Sequence, residues 1–159
     1  MTEVKPIPEG SHTITAGLVV KDARKAIEFY KTAFGAKELD VMLGLDGRSV
    51  MHAELKIGDT MIYLGDEFPD MGTVSPQTLG GTPVSLNIYT EDCDAMFKRA
   101  VAAGATVKMP LADMFWGDRY GKLTDPFGHQ WGIATHKEDV SKQEMEKRGK
   151  EWMAAMAKS

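Results

Sequence analysis

The 159-residue chain has a single cysteine, Cys93, which excludes an internal disulfide and any cluster of thiolate metal ligands. A lone thiol suits a reducing compartment, so cytoplasm is the expected location. No apolar run reaches bilayer length, and residues 1–12 are polar, carry Pro6 and Pro8, and do not resemble a signal peptide. Positive charge is also short. With 19 Lys and Arg against 23 Asp and Glu, the formal charge is -4, which leaves no footprint for nucleic acid and no basic run for an anionic membrane. There is no Gly-x-Ser-x-Gly elbow, no glycine-rich phosphate loop and no dinucleotide fingerprint, which argues against serine-nucleophile and cofactor-dependent redox chemistry. Cys93 lies beside Asp92 and Asp94, whose charge opposes a thiolate, so it is expected to be inert. These exclusions leave a small, uncharged or mildly polar organic molecule as the expected ligand.

What is present is an ordinary globular composition, 43% hydrophobic and 26% charged, arranged as an internal repeat. Residues 15–20 read as a strand. Asp22 can cap a helix over 23–34 whose stripe is Ala26, Ile27, Tyr30, Ala33 and Phe34, with Gly35 just past its end. Strands are predicted over 36–43, 50–57 and 60–65, the last two joined by a Gly58-Asp59 turn. The order then recurs: a strand over 84–90, a helix capped by Asp92 or Asp94 and ended by Gly104, and strands over 106–111, 119–124 and 130–135. Asp92 lies 70 positions after Asp22, and Gly104 lies 69 after Gly35.

The fold class is therefore α+β, built from tandem βαβββ repeats. The predicted organisation is an N-terminal segment (1–13), one domain (14–136) and a C-terminal helix (137–159). Within the domain, repeat one spans 14–67, a Gly- and Pro-rich linker 68–83, and repeat two 84–136. Ser141 to Glu144 forms a capping box for the last helix, while Gly149 weakens it by about 1 kcal/mol. That helix must therefore gain stability by docking, on its own domain or on a second subunit.

Several motifs carry a family resemblance: Leu18-Val-Val-Lys-Asp22, Ala26-Ile-Glu-Phe-Tyr-Lys31 with Phe34-Gly-Ala36, and His52-Ala-Glu-Leu55 in the first half. In the second half they are Trp116-Gly-Asp-Arg-Tyr-Gly121 and Asp125-Pro-Phe-Gly-His-Gln-Trp131. Together they resemble the vicinal oxygen chelate superfamily (glyoxalase, bleomycin resistance protein, dioxygenase), and within it the PhnB-like branch. The resemblance implies a curved mixed sheet around a pocket, a homodimer, and, in metal-dependent members, one ligand near the first strand and one on the last strand of each half. By register those positions fall on Thr15, Tyr63, Ser85 and Gly132. None is a usual ligand for a divalent ion, so no metal and no other cofactor is expected.

Strand alternation points Thr15, Gly17, Met61, Tyr63, Ser85, Asn87, Tyr89, Gln130 and Gly132 into the concavity. Of these, Tyr63, Ser85, Asn87, Tyr89 and Gln130 are candidate ligand contacts, and the small Gly17 and Gly132 suggest an open cavity. On the strand over 50–57, Met51, Ala53, Leu55 and Ile57 should face the helices, leaving His52 and Glu54 on the concave face. That pair is either a solvated polar contact or a catalytic general base with its carboxylate. Trp116 and Arg119 are further candidate ligand contacts, the first stacking on a planar molecule and the second holding a carboxylate or phosphonate oxygen. Equally, Trp116 could cap the core and Arg119 pair with Asp118 or Asp125. Trp131 is expected in the core, and His129 in a hydrogen bond that steadies its turn.

The expected function is that of a metal-free protein that binds a small, aromatic-compatible organic ligand. The alternatives are a metal-dependent lyase or isomerase similar to glyoxalase I, and a metal-free enzyme using His52 and Glu54. A third is an interaction protein working through its last helix. Whether any reaction is catalysed stays open at this level.

Overall fold

The structure, a computed structural model, describes residues 4–159, so the first three residues of the N-terminal segment lie outside the described residues. Within it the chain forms two compact units, each carrying one four-stranded mixed sheet. The α+β expectation of repeated βαβββ order is borne out.

Unit 1 comprises the chain up to Thr82 together with Pro126–His129. Its elements are β1 (Ala16–Val20), α1 (Ala23–Phe34), β2 (Lys37–Leu43), β3 (Val50–Ile57), β4 (Thr60–Asp66) and the short α2 (Pro76–Leu79). The strand order is β1-β4-β3-β2, with β1 parallel to β4 and the other pairs antiparallel. Asp22 caps α1 by accepting from the Lys25 N–H at 3.1 Å, and Gly35 takes the left-handed conformation past its end, φ 68°. Asp66 splits its carboxylate between two chain starts, accepting from Ala23 N at 2.8 Å and Val50 N at 2.7 Å. One acidic side chain thus fixes helix and hairpin to β4.

The α1 stripe buries Ala26, Ile27, Tyr30 and Ala33 against Leu18, Val20, Leu55, Ile62 and Leu64. Tyr30 stacks on Phe34 at 5.9 Å between centroids. Phe127, from the Asp-Pro-x-Gly turn, sets its ring at 70° to Phe29. The same turn brings His129 Nε2 to 2.9 Å from Val19 O, the turn-steadying bond expected of it.

Met51 departs from the expected alternation. Val50 is fully buried whereas Met51 is 37% exposed, because a register shift opposite Met42 and Leu43 inserts an extra residue into β3 and reverses the facing of its first residues. Gly65 makes room for this bulge: a Cβ there would stand 2.9 Å from Met51 O.

Unit 2 comprises Pro83–Asp125 and Gln130–Ser159. It holds β5 (Ser85–Tyr89), α3 (Cys93–Ala102), β6 (Thr106–Asp113), β7 (Asp118–Thr124), β8 (Gln130–His136) and α4 (Lys142–Met156), with the order β5-β8-β7-β6. Asp92 rather than Asp94 caps α3, accepting from Ala95 N at 2.9 Å. Trp131 and Ile133 face α3 and are buried, and the Trp131 indole donates to Asp125 at 2.9 Å. Cys93 is buried as well.

The last helix docks within its own unit. Gly149 lies against the Phe115 ring, where a Cβ would stand 3.3 Å from it, a tight contact. Arg148 forks onto Glu138 at 2.9 and 3.0 Å, and Trp152 meets Phe115 at 5.7 Å between centroids. Among the described residues, no helix is long and apolar enough to cross a membrane.

Candidate functional site

Each sheet has one face covered by its helix and one that is not, and the polar residues of alternating strands decorate the uncovered faces. In unit 2 this face carries Asn87 and Tyr89 from β5, Asp118 and Tyr120 from β7, and Ala134 from β8. Together with Trp116, from the turn entering β7, they line a cavity of about 360 Å3. That is a size typical of small-molecule sites.

Asp118 is the organising residue. It is 4% exposed, and its Oδ2 accepts from Tyr89 Oη at 2.7 Å and Trp116 Nε1 at 3.0 Å. Its Oδ1 lies 2.7 Å from His136 Nδ1, while His136 Nε2 lies 2.9 Å from Asp139 Oδ1. Burial pushes the Asp118 carboxyl upward, yet the hydrogen bonds from His136, Tyr89 and Trp116 outweigh it and hold the carboxyl below the usual range. The Tyr89 phenol is pushed up, first by its bond to Asp118 and then by burial. Tyr120 is pushed up by burial.

Both His136 nitrogens face carboxylate oxygens, which only accept, so the fully satisfied form is the imidazolium. Its pKa is raised accordingly, by Asp139 first and Asp118 next. The pair's contribution to stability is complete below the ordinary histidine value, about 6.5, and fades as pH rises through the higher folded value. At the acid end it is lost as Asp118 protonates, below the usual aspartate range. A 1H NMR titration should therefore place His136 above the ordinary value, and Asp118→Asn should bring it down.

The sequence-predicted candidates do not all converge. Asn87, Tyr89 and Trp116 meet in the unit 2 cavity. Ser85 and Gln130 are cross-strand neighbours that do not line it, and the Ser85 hydroxyl is buried without a hydrogen-bond partner among the described residues. Arg119 requires a correction. Alternation along β7 turns it to the helix side, where Nε and Nη2 fork onto Asp94 at 2.7 and 2.8 Å and Nη1 reaches Asp113 at 3.4 Å. Neither expected partner, Asp118 or Asp125, pairs with it, and its donors are committed to Asp94 on α3 and Asp113 on β6.

Gly132 does not open the cavity either. A Cβ there would collide with Asn87 Oδ1 and stand 2.7 Å from Tyr120 Cε2. The missing side chain is thus the space the Tyr120 ring occupies. Gly17 differs, since nothing lies within 4 Å of a Cβ built on it.

In unit 1, Tyr63 faces a separate cavity of about 290 Å3, whose lining also includes Gly17, Met51 and His52. The His52 and Tyr63 rings lie 4.9 Å apart between centroids, and His52 Nε2 is 3.5 Å from Glu54 Oε1.

A family model described as the Glyoxalase/Bleomycin resistance protein/Dioxygenase superfamily matches residues 11–133. The chain belongs to this superfamily. An uncharacterised protein of Mycobacterium tuberculosis is 45% identical over 132 residues, covering 81% of this chain and 77% of that protein. The X-ray structure of an Arabidopsis thaliana gene product aligns at a TM-score of 0.63 and 30% identity, covering 78% of this chain and 98% of that one. The crystal structure of TioX from Micromonospora sp. ML1 aligns at 0.61 and 25%, covering 79% and 99%.

The residues at the superfamily's metal positions do not fit a divalent ion. Gly132 offers no donor and its side-chain space is filled, Thr15 and Ser85 offer neutral hydroxyls, and Tyr63 presents its phenol beside His52. Among the described residues, no group of three or more His, Cys, Asp or Glu side chains is arranged to hold a metal ion.

Alternation along the sequence misses Asp118, Tyr120 and His136 as site residues. The signal for two of them lies inside the motif Trp116-Gly-Asp-Arg-Tyr120: residues at i and i+2 of one strand share a face, so Asp118 and Tyr120 belong together and Arg119 opposite.

Proposed function

We propose that this protein binds a small planar organic molecule in the cavity of unit 2, without a metal, as a member of the PhnB-like branch. The observation that carries this reading is the aromatic wall of Tyr89, Trp116 and Tyr120 built around a buried carboxylate. Large rings supply contact area at little entropic cost, and the fixed polar atoms of Asn87 and Asp118 orient what enters. A homodimer and a cytoplasmic location complete the proposal. The exposed apolar side chains Leu39, Met42 and Leu43 on β2, an edge strand, support the first, and the single cysteine supports the second.

Tryptophan emission tests the reading. Chelator-treated protein, titrated with a panel of planar aromatic compounds of each charge type, should show saturable quenching by at least one of them. The quenching should vanish in Trp116→Phe, which leaves Trp131 and Trp152 in place. Binding that chelator abolishes and a divalent ion restores would contradict the reading.

A second reading is a metal-free catalyst in unit 1, supported by the contact between His52 and Glu54 beside Tyr63. It puts the base His52 at the unit 1 cavity with Glu54 beside it, and leaves the unit 2 site a separate function.

A further inference from the structure

An anionic ligand would need donors in the unit 2 cavity, and two of the strongest are already committed. Tyr89 Oη and Trp116 Nε1 both turn onto Asp118 Oδ2. Among the described residues, no Lys, Arg or His lines the cavity. Lys122 follows Tyr120 by two residues on β7 but is not part of the lining. A carboxylate or phosphate entering there would meet a like charge with only Asn87 and the Tyr120 hydroxyl to receive it.

For a cation the same arrangement is favourable. Trp116 and Tyr120 pack edge to face, at 65° with ring centroids 5.7 Å apart, so the cavity wall is aromatic beside the Asp118 carboxylate. His136, 2.7 Å from Asp118 Oδ1, offsets part of the carboxylate's charge. Its other nitrogen engages Asp139, so Asp118, His136 and Asp139 together remain net negative whether the imidazole is charged or neutral.

We propose that the ligand of this cavity is a cation, an alkylammonium or a cationic heteroaromatic, held against Trp116 and Tyr120 with Asp118 as its counter-ion. This departs from the uncharged partner that composition suggests, and it rests on the reading of the cavity as a ligand site.

The test is a 1H-15N titration of the full chain, following the Trp116 indole N–H, with three planar probes: N-methylquinolinium, neutral quinoline and anionic 1-naphthoate. The cation should bind about tenfold or more tightly than quinoline, with naphthoate weakest. In Trp116→Ala, followed instead by the backbone amides of Asn87 and Tyr120, binding should be lost. Tyr120→Leu keeps bulk but has no π surface, and should bring cation and neutral probe close to parity while the circular dichroism stays native. Equal affinity for cation and neutral probe, or a preference for naphthoate, overturns the charge assignment and leaves the cavity a ligand site. If none of the three shifts the Trp116 indole, both the assignment and the ligand-site reading fail.

Discussion

Asp118→Ala should lower the unfolding free energy by about 2–4 kcal/mol and abolish ligand binding in unit 2. The carboxylate gathers donors from three side chains, Tyr89, Trp116 and His136, and is itself nearly inaccessible. Tyr89 and His136 are largely exposed and can turn to water when the acceptor is removed. The Trp116 indole is half-buried and donates to Asp118 alone among the described residues, so most of the loss falls on it and on the vacated volume. Asp118→Asn separates charge from shape. It keeps the volume and one acceptor, so its cost should be about 1 kcal/mol, while binding of a cationic probe should fall far more than stability does. Urea unfolding followed by circular dichroism gives the first quantity and the indole titration gives the second.

Gly132→Val should cost about 1–3 kcal/mol and displace Tyr120 from the cavity wall. The first added carbon would meet Asn87 Oδ1 and lie 2.7 and 2.8 Å from Tyr120 Cε2 and Oη, and valine's two further methyls add bulk on the same side. Because Tyr120 is the near side of the cavity, ligand affinity should fall with stability rather than independently of it. Gly17→Ala is the control. It sits on the uncovered face of unit 1 with nothing within 4 Å, so it should change stability by no more than about 0.5 kcal/mol. A Gly132→Val protein as stable as its parent, with unchanged affinity, would mean that Tyr120 and Asn87 do not occupy the space assigned to them.

The architecture is legible in the sequence because local signals agree at each level. The Asp22 cap, the α1 stripe and the Gly35 stop all mark one helix, and the offsets of 70 and 69 residues carry that reading into the second half. Only parts of the site are legible, for identifiable reasons. Asn87 and Tyr89 follow from plain alternation on β5. Arg119 misleads because a charged residue in a loop-like motif suggests ligand contact, whereas its place in β7 aims it at Asp94. Gly132 misleads because a missing side chain reads as empty space when Tyr120, on the adjacent strand, fills it. Met51 fails at a bulge, which one-dimensional periodicity does not register. Asp118 and His136 become a pair only because β7 and β8 run antiparallel in the register that sets them opposite each other, 18 positions apart in sequence.

Metal-free binding of a cation in unit 2 is tested most directly by a crystal structure of protein purified without added chelator and soaked with N-methylquinolinium, with anomalous data collected for divalent metals. The expected result is ligand density in the unit 2 cavity against the Trp116 and Tyr120 rings, beside Asp118, and no metal peak at Thr15, Tyr63, Ser85 or Gly132. A metal peak there, or ligand density confined to the His52 and Tyr63 cavity of unit 1, would contradict it.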